Sequence, residues 1–113
     1  MATPARTKMH PAPAVLGPDG GLRPDVVWFG ESLPAGAYER AEKASEECDV
    51  FFSIGTSSVV FPAASLPGVA LNAGAVVVEI NPERTPLTGR ARYVFQMPSG
   101  KCLPELVKAV WEQ

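Results

Sequence analysis

Histidine is nearly absent from these 113 residues: His10 is the only one, and it stands in a Pro/Ala-rich lead. No Ser/His/Asp or Cys/His nucleophilic set is therefore expected, and no catalytic residue is assigned. Cysteine is almost as scarce. Cys48 and Cys102 lie far apart with no CxxC, a usage that suits two thiols in a reducing compartment, although spacing alone leaves a bridge between them open. No apolar run reaches the roughly 18 residues that suggest a membrane span. A net charge of -2 gives no polyanion footprint, so neither nucleic acid nor membrane is expected as a partner. Neither GxGxxG nor GxxxxGK[ST] occurs, which removes the usual dinucleotide and nucleoside-triphosphate loops.

What is present is one small α/β domain behind an irregular lead. Residues 1–21 are rich in Ala, Pro and Gly without hydrophobic periodicity and read as that lead; residues 22–113 read as the folded part. Arg6 and Lys8, with no acid before Asp19, hint at a mitochondrial presequence, but Pro4, Pro11 and Pro13 oppose the amphipathic helix it needs. Val26-Val27-Trp28-Phe29, closed by Gly30, predicts a strand. Ala37, Ala41, Ala44 and Cys48 recur at helical spacing and predict a helix over 37–47.

Val50 to Ile54 predicts a core strand, Pro62 to Ala73 a helix that Pro67-Gly68 kinks or delays, and Ala75 to Ile80 a strand covered on both faces. Tyr93 to Gln96 predicts a short strand. Leu103 to Trp111 predicts a closing helix with Pro104 in its first turn. Strands alternating with helices argue a partial Rossmann-like, doubly wound parallel sheet with right-handed crossovers. Four strands are thin for such a domain. An unpaired edge and an uncovered apolar face are expected to follow.

In a parallel sheet all strand tips point to one edge, where ligands bind. Three tips carry small or amide residues: Gly55-Thr56-Ser57, Asn81-Pro82-Glu83 and Pro98-Ser99-Gly100. The hydroxyls suit ribose and phosphate oxygens, and the Asn81 amide both donates and accepts. The same residue types are also ordinary turn formers. Glu31 and Glu79, the carboxylates nearest strand ends, read as structural or solvated rather than as a general base.

Three segments in order, Leu22-Arg23-Pro24-Asp25-Val26-Val27-Trp28-Phe29-Gly30-Glu31, Gly55-Thr56-Ser57-Ser58-Val59-Val60-Phe61-Pro62-Ala63-Ala64 and Glu79-Ile80-Asn81, resemble the C-terminal half of a sirtuin, an NAD-dependent protein-lysine deacylase. The likeness runs from about Gly21 to the C-terminus. Its Gly-Thr-Ser-Ser-Val-Val-Phe-Pro form is most similar to the class III, mitochondrial desuccinylase/demalonylase type, which implies a mitochondrial or cytoplasmic location. The resemblance implies that Gly55, Thr56 and Ser57 contact the phosphates and ribose of NAD, that Asn81, Pro82 and Glu83 hold the adenosine ribose, and that Ser99 lies by the adenine. It further implies that Val26, Val27, Phe29, Gly30 and Glu31 belong to an edge strand pairing with an acyl-lysine peptide, Val27 and Phe29 lining the acyl-lysine tunnel.

The family's Gly-Ala-Gly-x-Ser segment, its Gln-Asn-x-Asp run, its catalytic histidine and the four cysteines of its zinc site have no counterpart in this sequence. Zinc and the small zinc domain are accordingly not expected here, and only part of the NAD site is. The reading is a truncated deacylase that is inactive alone. The alternative is a non-catalytic module that binds NAD or ADP-ribose, or that pairs with a polypeptide supplying the missing N-terminal half.

Overall fold

Three parallel strands in the order β3-β4-β5 form the sheet: β3 is Val50–Ile54, β4 Val76–Ile80 and β5 Tyr93–Phe95. The computed structural model describes residues 14–17 and 20–112, and the chain divides into two compact units, 1–33 and 34–113, the sheet belonging to the second.

The central strand β4 is hydrophobic on both faces because both are covered. On one face Val77 joins Ala70 and Leu87, with Cys48, Phe51 and Leu71 around them. On the other, Val78 and Ile80 pack with Cys102, Phe95, Leu103 and Leu106. Helices α1 (Ala37–Glu47) and α2 (Leu66–Asn72) pack on one another, and α2 also contacts β3 and β4. Helix α3 (Ser99–Trp111) brings Cys102, Leu103 and Leu106 to the opposite face. This is the expected three-layer, partly Rossmann-like arrangement.

Helix α1 and strand β3 have the bounds that their periodicity predicts. The buried stripe of α1 is shifted, however. Ala44 is exposed, and Ser45 is buried with its hydroxyl donating to the Ala41 carbonyl at 2.8 Å. Of the two outcomes expected at Pro67-Gly68, a kink or a delay, the second helix shows the delay. A 3₁₀ turn at Ala63–Ser65 comes first, so α2 starts at Leu66 and Pro67 falls in its first turn. Gly74, at φ +92°, stops the helix as expected.

Helix α3 begins four residues earlier than predicted. Pro98 is extended, at φ -61° and ψ 141°, and its carbonyl accepts from Lys101 and Cys102 N–H at 3.0 and 3.1 Å. Pro104 therefore lies inside the helix, not in its first turn. It withholds the N–H that would have bonded the carbonyl of Gly100.

The first unit departs most from expectation. Ala14–Leu16 (β1), inside the stretch read as irregular, pairs antiparallel with Leu22–Pro24 (β2). Val26 to Phe29, expected as a strand, is a loop ending in a turn at Gly30, φ +84°. The sheet consequently has three strands rather than four. Residues 1–13, 18 and 19 of the lead, Arg6, Lys8 and His10 among them, lie outside the described residues.

Candidate functional site

Beyond the carboxyl ends of β3 and β4 lies a cleft of about 510 Å³, lined by Gly55, Ser57 and Val59 on one side and by residues 81–86 on the other. Two of the three predicted strand tips thus meet. Gly55 takes φ +67° while its N–H continues the ladder to the Ile80 carbonyl at 2.9 Å. A side chain built at Gly55 would meet no atom within 4 Å. Its backbone conformation is what demands glycine, and the space in front of it is open.

Asn81 ties the two walls together. Its Nδ2 donates to the Thr56 carbonyl at 2.8 Å, and its Oδ1 accepts from Glu83 N–H at 3.0 Å. An amide has two N–H donors and two lone pairs, so one of each remains for a ligand. Asn81 therefore holds the two loops together while keeping a donor and an acceptor free of these bonds. Thr56 does not line the cleft. It supplies that carbonyl, and its Oγ1 accepts from Ser58 N–H at 3.1 Å, holding Ser58 at φ +59°.

Pro82 and Glu83 line the cleft as expected, but Arg84 and Thr85 beside them escaped the sequence reading. Arg84 is the only cation of the lining. Its position directly after the Asn-Pro-Glu tip was the available signal. Ser99 is not part of this lining. As the first residue of α3 it sits where backbone N–H groups lack intrahelical acceptors. Glu79, one residue further into the sheet than Ile80, is 1% exposed and accepts from the Thr85 and Thr88 hydroxyls. It is structural, and it faces the interior rather than the cleft.

The other predicted set belongs to the first unit. Arg23 binds Glu31 through two nitrogens, Nη1 to Oε2 at 2.9 Å and Nη2 to Oε1 at 2.7 Å, and its Nη2 also donates to the Val26 carbonyl at 3.1 Å. The guanidinium stacks over Trp28, 3.9 Å from the ring centroid. Glu31 Oε1 accepts Trp28 N–H at 2.8 Å as well. This clasp closes residues 23–31 into a loop and overrides the β propensity of Val26, Val27 and Phe29, which remain exposed, Phe29 at 91%. Glu31 is thus engaged in its own loop.

The Arg23 hydrogen bond, followed by the Trp28 N–H, lowers the Glu31 carboxyl to about 2. A carboxylate lowered on folding contributes stability that is complete above its unfolded value and lost as pH falls through the folded one. The clasp should therefore hold at pH 4 and open only toward pH 2. Trp28→Phe leaves Trp111 as the sole indole, so the fluorescence difference between the two proteins isolates Trp28. A Trp28 transition centred near pH 4.5 would refute the assignment.

Cys48 caps α1, donating to the Ser45 carbonyl at 3.3 Å, and Cys102 is buried against β4; both thiols are free. Among the described residues no three of His, Cys, Asp and Glu gather to hold a metal.

Comparison with known proteins gives one answer. The family model described as "Sir2 family" matches residues 2–62, reaching further toward the N-terminus than the motifs did. An NAD-dependent protein deacylase of Mycolicibacterium paratuberculosis is 45% identical over 108 residues, covering 96% of this chain and 44% of that protein. A crystal structure of a Sir2 homologue–NAD complex superposes with a TM-score of 0.77 at 43% identity, covering 94% of this chain and 41% of the other. A Sir2 structure with a p53 peptide and NAD+ gives 0.75 at 27% identity, covering 90% and 42%. The chain spans less than half the length of each.

Proposed function

The chain belongs to the Sir2 family, and we propose that its second unit binds the ADP-ribose portion of NAD between residues 55–59 and 81–86, as part of an NAD-dependent protein-lysine deacylase. The observation that carries this reading is Asn81 bridging two strand tips across a cleft open in front of Gly55. Ser57 and the free half of the Asn81 amide are placed for ribose and diphosphate oxygens, Pro82 and Glu83 flank the adenosine ribose, and Arg84 answers the negative charge. Ser99 serves the adenine from the third tip. When bound, NAD would supply the ribose that takes up the acyl group, with nicotinamide as the leaving group. This chain's part is to bind and orient.

Turnover by these 113 residues alone is not expected, because the resemblance assigns the general base to a histidine and the only one here is His10, in the lead. The acyl-lysine peptide is assigned to the exposed Val26, Val27 and Phe29. The class III desuccinylase/demalonylase type, with a mitochondrial or cytoplasmic location, rests on the wording of residues 55–62. Calorimetric titration with ADP-ribose tests the binding reading: a micromolar Kd is expected, and no heat at millimolar ligand would overturn it. NAD-dependent desuccinylation by the purified chain would overturn the non-catalytic part.

A second reading, pairing with another polypeptide, is favoured by a separate observation. Phe52 and Ile54 of β3 line an entirely apolar groove of about 320 Å³ with Leu103, Leu106, Val107, Val110 and Trp111 of α3. Phe52 is 50% and Trp111 75% exposed, and β3 is an edge strand among the described residues. A polypeptide supplying the rest of a Sir2 fold would cover groove and edge together.

A further inference from the structure

Glu79 is a carboxyl group in the middle of the sheet with no cation to meet it. It lies in register between Ser53 of β3 and Val94 of β5, and no Lys or Arg nitrogen among the described residues pairs with it. Burying such a group is costly unless its oxygens are fully hydrogen-bonded. Here each oxygen takes one hydroxyl, Oε2 that of Thr85 and Oε1 that of Thr88.

Both hydroxyls are in turn used as acceptors. Thr88 Oγ1 accepts Thr85 N–H at 2.9 Å, and Thr85 Oγ1 accepts Leu87 N–H at 3.1 Å. Thr88 N–H closes the turn onto the Thr85 carbonyl at 3.1 Å. A network in which every member is satisfied rigidifies what it joins. What it joins is the far end of the cleft wall: Thr85 and Pro86 line the cleft, and Arg84 precedes them. The near end is held by Asn81, through Thr56 and Glu83.

We infer that Glu79 is a positioning residue for the cleft. Through Thr85 and Thr88 it holds residues 82–86 in the ligand-ready conformation and keeps Arg84 presented to the diphosphate. It touches no ligand itself. The inference rests on the nucleotide reading above for the ligand, but the clasp can be measured without one. Preorganisation of this kind raises affinity by removing the cost of ordering a loop at binding.

Thr88 is the place to test it, since Thr88 is 8% exposed and does not line the cleft. Thr88→Val removes the hydroxyl at nearly constant shape, and Thr88→Ser restores it. In the ligand-free chain, amide hydrogen exchange at residues 83, 84 and 87, none of which bonds to the Thr88 hydroxyl, should accelerate at least tenfold in Thr88→Val and stay within twofold of wild type in Thr88→Ser. ADP-ribose should bind the valine variant about tenfold more weakly and the serine variant normally. Protected amides at residues 83, 84 and 87 in Thr88→Val would overturn the inference, as would equal damage by valine and serine or unchanged ADP-ribose affinity in the valine variant of a binding-competent chain. If wild type binds no ADP-ribose, the nucleotide reading fails by itself, and the exchange measurement alone decides the clasp. Should Thr88→Val unfold, Glu79→Gln, which keeps the shape and turns one acceptor oxygen into a donor facing a threonine hydroxyl, is put through the same exchange and binding measurements, and wild-type behaviour there overturns the inference.

Discussion

Ile80→Ala is expected to remove a sixth or more of the stability of the second unit. Ile80 is fully buried, flanked in register by Ile54 and Phe95, and packed with Val78 and Cys102 beneath α3. Truncating such a side chain costs about 2–5 kcal/mol, because the transfer energy is lost and the cavity collapses only in part. A unit of roughly 80 residues is stable by about 4–12 kcal/mol at about 0.05–0.15 kcal/mol per residue. The urea midpoint should therefore fall by at least about 1 M for a slope of about 1–2 kcal/mol per M. Val50→Ala, on the edge strand and 47% exposed, is the comparison and should cost under about 1 kcal/mol. Equal losses at the two positions would mean that the β4–α3 interface is not the core. The effect reaches the site as well, since the Ile80 carbonyl holds Gly55 N–H and Asn81 follows it in the chain.

What could be read from sequence was whatever depends on neighbours along the chain. Helix 37–47 and strand 50–54 follow from local spacing, and β4 announces its two-sided burial by its β-branched run. The strand tips at Gly55 and Asn81 could be found because parallel topology alone brings them together. The errors share a different cause. Val26 to Phe29 are good β formers, yet an Arg23–Glu31 pair eight residues apart bends them into a loop, and no short-range pattern marks that pair. The early start of α3 depends on the extended Pro98, whose carbonyl gathers the N–H groups of Lys101 and Cys102, so that the tip read as a turn is already helix. Ser45 and Glu79 are polar residues in the interior, satisfied by a backbone carbonyl and by two threonines in the following loop. Composition carries no trace of such partners. The same blindness affected Asn81: its residue type suggested a ligand contact, while its position between two loops gave it a second task.

That second task leads to the largest effect expected on binding. Asn81→Ala removes the tie across the cleft to Thr56 and the tie within its own wall to Glu83, each worth about 0.5–1.5 kcal/mol net. Affinity for ADP-ribose should fall by about 5- to 150-fold, a factor of ten for each 1.4 kcal/mol or so. Asn81→Asp separates the ties. The carboxylate still accepts Glu83 N–H, but it sets an oxygen against the Thr56 carbonyl, where the amide donated at 2.8 Å. Glu83 should then keep its exchange protection in Asn81→Asp and lose it in Asn81→Ala, while residues 56–58 loosen in both. Binding should be weakened by aspartate at least as much as by alanine, since repulsion replaces a bond instead of merely deleting it. A ligand-only role predicts otherwise: the ligand-free exchange at 56–58 would be unchanged in either variant. If Asn81→Asp binds ADP-ribose as wild type does, the tie to Thr56 does not shape the cleft. Gly55 and Ser57 would then be held by the β3–β4 ladder alone.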